Sequence, residues 1–528
     1  MDAKPSRGAN KPTSSGAKGL TGASATSRSG ESLTDRLRIA KPPIRRSGTG
    51  NCRQHANAFE QRASPLGSLR STATLRMIAP MTTLSRESPG STPPEPFSSP
   101  YRSRRQTAAR LAPERFASPQ ERLVGLLLPI ATFFLSWWQV GRLPGLNITV
   151  CDILMLICAG ALLTSRGLNA AMFGRVSAAW VSGVMLLIGG MLIGSLVHGD
   201  FLRWPVVGGQ YAFALLLVPM MLTSCPRDLL ERCAITYVLG VAASQVIGLI
   251  LVGTLEPAMI AEYVNKDVVT GNGRLGAMTG EPNSNGAVCT FALIFLLHAT
   301  MTGRLKGVAA GALALILLAG LVASASFTGA AAAMLATGLI LAFSRLRTAL
   351  AVALPVVLIV VAYTSAGGPV PEVFEKRVGE AIMTGDPTRA GTFMGRTVLI
   401  KEAWQMADDN LLIGLGSDGY RRSSVYGMPV HQLYLLVLNE GGVLSFMGLC
   451  LIFAAMLVKA VLVMMKNRLD GICCVAALAV FFIYTMSLPH MFGRMWNGPP
   501  LLLFALADAT LLVRVRRASA DHMYPVRR

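Results

Sequence analysis

Between residues 123 and 513 the chain returns repeatedly to apolar stretches about as long as a bilayer core is thick. That pattern leaves few folds open. A helix needs roughly 20 apolar residues to cross the hydrocarbon region, and backbone in lipid must satisfy its own hydrogen bonds. On that rule helices are predicted over 123–140, 148–164, 176–198, 205–223, 233–252, 284–301, 307–323, 326–343, 349–365, 441–465, 470–488 and 497–513. The expected fold class is all-α, a polytopic membrane bundle of about twelve transmembrane helices. With 52% of residues hydrophobic and 15% charged, an ordinary soluble globule is excluded. No period of about 20–50 residues is visible, so a repeat array is not expected.

The net charge of +21 would point to nucleic acid if it were spread over a folded surface. It is not. Residues 1–120 alone hold 20 Lys/Arg against 7 Asp/Glu, and most of the remainder sits in short connections. No nucleic-acid partner is implied. Residues 1–120 are rich in Ser, Thr, Pro, Arg and Gly without hydrophobic periodicity, and a disordered basic cytoplasmic tail is expected there. The stretch superficially resembles an organellar transit peptide, and a start at Met77 or Met81 is the other plain reading. The membrane domain is then 121–515, followed by a basic cytoplasmic tail over 516–528.

Basic residues orient the bundle. The connections holding Arg166 and Arg175, Arg227 and Arg232, Arg304 and Lys306, Arg345 and Arg347, and Lys466 and Arg468 each carry at least two positive charges. The alternate short loops, GRLPGLN and HGDFLRW, carry one each. By the positive-inside rule both termini are cytoplasmic, and two longer segments, 253–283 and 366–430, lie outside. The second is the one large external loop, set between late helices. The nine cysteines fall mainly in apolar spans without metal-ligand spacing and read as small buried hydrophobes. Gly307 with Gly311, and Gly329 with Ala333, form small-xxx-small patterns suited to close helix packing. Gln210 and Gln245 read as interhelical hydrogen-bonders. Asp508 is either functional or a structural partner near the cytoplasmic end, for Arg514.

Chemistry-bearing groups collect on the external side. The run GNGRLGAMTGEPNSNG (271–286) holds Arg274, Glu281, Asn283 and Asn285. Pro282 suits the first helical position, with Asn283 or Ser284 as a cap. Arg274 has no such role and reads either as a lipid-headgroup contact or as a guanidinium fork for a phosphate. Residues 395–408 read as a short amphipathic helix with Leu399, Ala403 and Met406 on one face. Arg396 sits in its first turn, where a cation opposes the helix dipole. In LLIGLGSDGY, Gly414, Gly416 and Gly419 permit tight turns, a plainer reading than a phosphate nest. Arg421 and Arg422 follow. His431 stands where polar loop becomes apolar helix, with Tyr434 and Glu440 beyond it. A histidine there is a cap, a hydrogen-bonder or a base, and the neighbouring arginines favour the base.

The order Gly395-Arg396, Trp404, Asn410, Gly414, Gly416, Tyr420, then His431, Tyr434, Leu435, Leu438, Glu440, Gly441, Gly442 resembles the O-antigen ligase/polymerase family over roughly 120–515. The run RLGAMTGEPNSNGA resembles that family's segment before its middle helix. Gln432 departs from the pattern, since many relatives have Asn there. The resemblance implies a GT-C-type membrane glycosyltransferase of the bacterial inner membrane. Such an enzyme takes a glycan from an undecaprenyl diphosphate carrier and transfers it at the periplasmic face to a glycan or lipid-linked acceptor. It implies that Arg274 and Arg396 hold the diphosphate and His431 is the base, with Tyr434, Glu440, Arg421 and Arg422 in support, and no metal or cofactor. Other polysaccharide assembly or export proteins are conceivable partners. Polymerase and ligase both fit. A transporter or flippase of polysaccharide export is the alternative, although no repeated halves are seen and transport needs no such loop. A non-catalytic partner of an export complex is a third.

Overall fold

The computed structural model describes residues 118–523, apart from 140–141, 144–146, 199–200, 266, most of 345–364, 368–371, 385–392 and 490–491. The expected tail up to residue 117 and most of the predicted span at 349–365 lie outside the described residues. Helices follow the other apolar stretches: α1 Pro119–Phe133, α2 Val150–Ser165, α3 Ser177–Val197, α4 Trp204–Thr223, α5 Arg227–Thr254, α6 Pro282–Met301, α7 Gly307–Ser324 and α8 Phe327–Ala342. Within the large loop stand α9 Phe393–Asp409 and the short α10 Gly419–Ser423. Then come α11 Leu433–Lys466, α12 Arg468–Thr485 and α13 Arg494–Met523. No strand forms among the described residues. Seven helices there (α3 to α7, α11 and α12) are long and apolar enough to cross a membrane, and α2 and α8 are shorter apolar helices.

Where boundaries depart from the apolar runs, local chemistry explains it. Helix α1 starts at a reciprocal Ser118–Glu121 capping box. Helix α5 reaches back to Arg227 because the polar turn RDLLE closes on itself, with Arg227 Nε 2.8 Å from Glu231 Oε1. Helix α6 begins with Pro282 at its first position, as expected, but its cap is Glu281, which accepts from the Ser284 amide at 2.6 Å. Helix α11 starts at Leu433, well before the predicted 441, because LYLLVLNE is already buried except at Tyr434, which is half-buried. Helix α13 continues to Met523, into the expected tail.

Helix α6 is the axis of the bundle, buried along almost its whole length and packed against α5, α7, α8 and α12. Gln245 of α5 and Asn285 of α6 exchange amide hydrogen bonds of 2.8 and 3.0 Å in a fully buried site, which satisfies both in apolar surroundings. Helix α11 lies along α3. A Cβ added at Gly183 would sit 2.9 Å from Gly448 O, so backbone meets backbone there. Of the predicted small-residue faces, Gly329 does pack against Gly286, but Gly307 and Gly311 have nothing within 4 Å of an added Cβ. Small residues permit a close approach without supplying a partner.

One end of the bundle gathers ion pairs. His298 Nε2 is 2.9 Å from Asp470 Oδ1, Arg304 pairs with Glu231, and Lys459 pairs with Asp508 and donates to Phe173 O at 3.2 Å. Asp508 therefore has its partner in α11; the side chain of Arg514 lies outside the described residues. Of the eight free cysteines among the described residues, all but Cys450 are buried, as expected of small hydrophobes; Cys52 lies outside them.

Candidate functional site

The opposite end brings together chain segments far apart in sequence. Its foundation is a break in α11. Gly442 takes φ 64 and ψ −167 inside the helix, and the carbonyls and the amide the break releases are taken up by the large loop. Leu415 N donates to Asn439 O at 2.7 Å, Gly416 N to Glu440 O at 2.9 Å, and Val443 N to Leu411 O at 2.8 Å. So close is the approach that a Cβ at Gly414 would lie 2.4 Å from the Glu440 carbonyl carbon. Ser417 N donates to Ser195 Oγ of α3 at 2.9 Å. The glycines of LLIGLGSDG thus dock the loop into a broken helix, in keeping with a turn rather than a phosphate nest.

Helix α9 carries the expected apolar face: Leu399 and Ala403 are buried with Tyr420, Val430, Leu435 and Leu436, and Met406 packs at the edge. Tyr420 donates to Glu402 Oε2 at 2.9 Å, and Glu402 also accepts from Ser424 Oγ and Val425 N, each at 2.8 Å. Asn439 of α11 donates to Ala403 O at 2.9 Å. These bonds fix α9, and with it Arg396, against the start of α11, where His431 stands.

Arg274 is buried, 7% exposed. Its Nε donates to Ser324 O at 3.0 Å and its Nη2 to Asn283 Oδ1 at 3.1 Å. Asn283 in turn donates to Glu281 Oε1 at 2.6 Å, so a carboxylate fixes the amide that fixes the arginine. Burial, with the Arg377 and Arg396 guanidinium groups near by, lowers the Arg274 pKa to about 10. Burial likewise lowers Arg377 and Arg396, which repel each other. All three are still cations near neutrality, a costly gathering of like charge that suits an anion. Burial, then Arg396, lowers the pKa of His431, with Glu281 opposing. Its Nδ1 is buried and has no hydrogen-bond partner among the described residues. A neutral imidazole has one ring nitrogen that can accept a proton.

His431, Glu281 and Glu440 line a cavity of about 540 Å³ with Arg142, Arg203 and Arg421. The structure therefore joins Arg274, Arg396 and His431 through Glu281, and sets Glu440 and Arg421 on the cavity wall. Arg422 is turned to its own loop, bonding Asp418 O at 3.3 Å and Ser417 O at 3.4 Å. Tyr434 faces α12, its hydroxyl 2.8 Å from Thr485 Oγ1. Gln432 is the N-cap residue of α11, and its side-chain amide reaches Met486. Missed by sequence reasoning were Arg377, Arg142 and Arg203; all three stand in segments predicted to lie outside, a signal that could have found them. Also missed was Arg494, buried in a bidentate pair with Asp152 and lying 5.3 Å over Trp138.

Residues 309–450 match the family model described as O-antigen ligase. Over that stretch the chain is similar to the O-antigen ligase family. The matched segment holds the loop helix with Arg396, the docking glycines, His431 and Glu440; Arg274 and Glu281 come from outside it. No curated protein matches the chain. Seven helices among the described residues are long and apolar enough to span a bilayer.

Proposed function

We propose that this chain transfers a glycan from an undecaprenyl diphosphate carrier to an acceptor sugar hydroxyl at the periplasmic face of the bacterial inner membrane. Its topology would be about twelve spans with both termini cytoplasmic, a basic tail over 1–120 and a membrane domain over 121–515. The acceptor oxygen attacks the anomeric carbon, that carbon's bond to the diphosphate oxygen breaks, and configuration inverts. His431 takes the hydroxyl proton while Arg274 and Arg396 hold the departing diphosphate. A diphosphate is already a good leaving group, so charge stabilisation by fixed cations is the larger demand. The observation that carries this reading is His431 on a cavity wall, its imidazole held below its ordinary pKa by burial and by Arg396.

The test is polysaccharide length in cells carrying His431→Ala or Arg396→Ala at matched membrane levels. Loss of long polymer is expected, with the base alone contributing about 10²–10⁴-fold in rate. Polymer of ordinary length in either variant would sink the assignment. A deletion strain separates the two reactions: single units still attached mean a polymerase, whereas long chains left on the carrier mean a ligase.

A further inference from the structure

The end of the bundle away from His431 holds a second cavity, of about 760 Å³, for which the transfer reaction has no use. Its walls come from the connection between α2 and α3, the turn after α4, the last turns of α11, and α13 around Asp508. Polar bonds hold these walls together. Asn169 N donates to Ser224 Oγ at 2.8 Å and Asn169 Nδ2 to Thr223 Oγ1 at 3.3 Å, tying the α2–α3 connection to the end of α4. Lys459 donates to Phe173 O at 3.2 Å and pairs with Asp508. In that pair the two charges answer each other.

The remaining charges on the wall do not balance. Arg175 and Lys466 also line the cavity and are exposed, and Asp508 is the one carboxylate among the described lining residues. Even with Asp508 ionised, the wall therefore keeps two cations in excess. Lys466 closes α11, where a cation suits the helix dipole. Arg175 has no such role, and among the described residues it has neither a hydrogen-bond nor an ion-pair partner. The rest of the lining is largely apolar, with Met172, Leu462, Val463 and Leu511 prominent. Helices α3 and α11 are both long and apolar enough to cross a membrane, and Arg175 and Lys466 stand at their ends. The cavity thus lies where hydrocarbon gives way to headgroups. Cations beside an apolar lining at that depth match an anionic amphiphile, whose phosphate takes charge-assisted bonds while its chains cover the apolar wall. A soluble polyanion would leave that wall wet.

We infer that this cavity binds an anionic phospholipid of the adjoining leaflet, with its phosphate on Arg175 and Lys466 and its upper acyl carbons against Leu462 and Leu511. On the topology proposed above, that leaflet is the cytoplasmic one. The site goes beyond the transfer reading and does not depend on it.

The full-length protein in detergent is titrated with phosphatidylglycerol or phosphatidylcholine, and bound lipid is counted by native mass spectrometry. The wild type should bind phosphatidylglycerol about tenfold more tightly or better, the scale expected of two cations near one phosphate. Arg175→Gln combined with Lys466→Gln should abolish the preference. Both side chains are exposed, so the melting temperature and phosphatidylcholine binding should stay as they are. Leu462→Trp keeps the charge but fills the cavity, and should weaken phosphatidylglycerol binding to a similar degree. A wild type without the preference overturns the site, as does a double variant that retains it. Loss in the charge variant but not in Leu462→Trp puts the lipid on a diffuse basic surface and overturns the cavity. Glycerol 3-phosphate that competes as well as the intact lipid reassigns the phosphate contacts to a soluble ligand, and the lipid falls.

Discussion

Burial and Arg396 both hold the His431 imidazole below its ordinary pKa, and Glu281 alone among the named neighbours pulls it back up. The base form is the neutral ring, so it is present above that lowered pKa and lost as pH falls through it. The acid limb of kcat/KM for transfer should therefore have its midpoint below 6.5, the ordinary histidine value. Glu281→Gln keeps an oxygen for the helix cap and removes the charge, and should move the limb to still lower pH. A limb that moves up, or stays fixed, assigns the titration to another group. The sequence made Arg274, Arg396 and His431 legible because each departs from what its local position calls for: a cation at a helix start, an arginine without a capping role, a histidine at a loop–helix border. Glu281 was visible in the same run yet passed over as a site residue. Its importance lies in reaching Asn283, Arg274 and His431 at once, and a linear string does not display that convergence.

At the scale of elements, the large loop and α11 form one unit because the helix is broken where the loop arrives. Gly442 holds φ 64, and an added Cβ would stand 2.5 Å from Leu412 O. Gly442→Ala therefore combines left-handed strain with a backbone clash, and should destabilise this end of the protein by about 1–3 kcal/mol. The expected reading is a lower melting temperature in detergent, together with faster proteolysis within 411–430. A variant as stable and as protease-resistant as the wild type would show that the loop does not depend on the break. The glycines of the family pattern were legible as turns. Their true partners were not, since Gly414 meets Glu440 and Gly416 meets Ser195 of α3, contacts that span distant parts of the chain. The apolar runs foretold most helices but not the early start of α11, where buried loop-facing residues look the same as lipid-facing ones.

Across the whole molecule the two ends divide the work. One end carries His431, the arginines and their cavity; at the other, paired charges are closed on one another. Lys459 is 8% exposed and reaches both Asp508 of α13 and the Phe173 carbonyl before α3. It thus ties three distant parts of the chain. A pair so placed recovers its desolvation cost only through its partners, so breaking it is far worse than removing it. Lys459→Met should leave Asp508 buried without a counter-charge and cost about 3–5 kcal/mol, and Asp508→Leu should do the same to Lys459. The double variant should recover most of that loss, with transfer activity per folded molecule unchanged in all three. Thermal unfolding of the purified variants gives the cycle and a glycan-transfer assay gives the activity. Were the double variant stable but inactive, Asp508 would belong to the reaction or to a coupled movement of charge. Full activity would make it a fastening of the bundle, leaving the chemistry to the end where His431 stands.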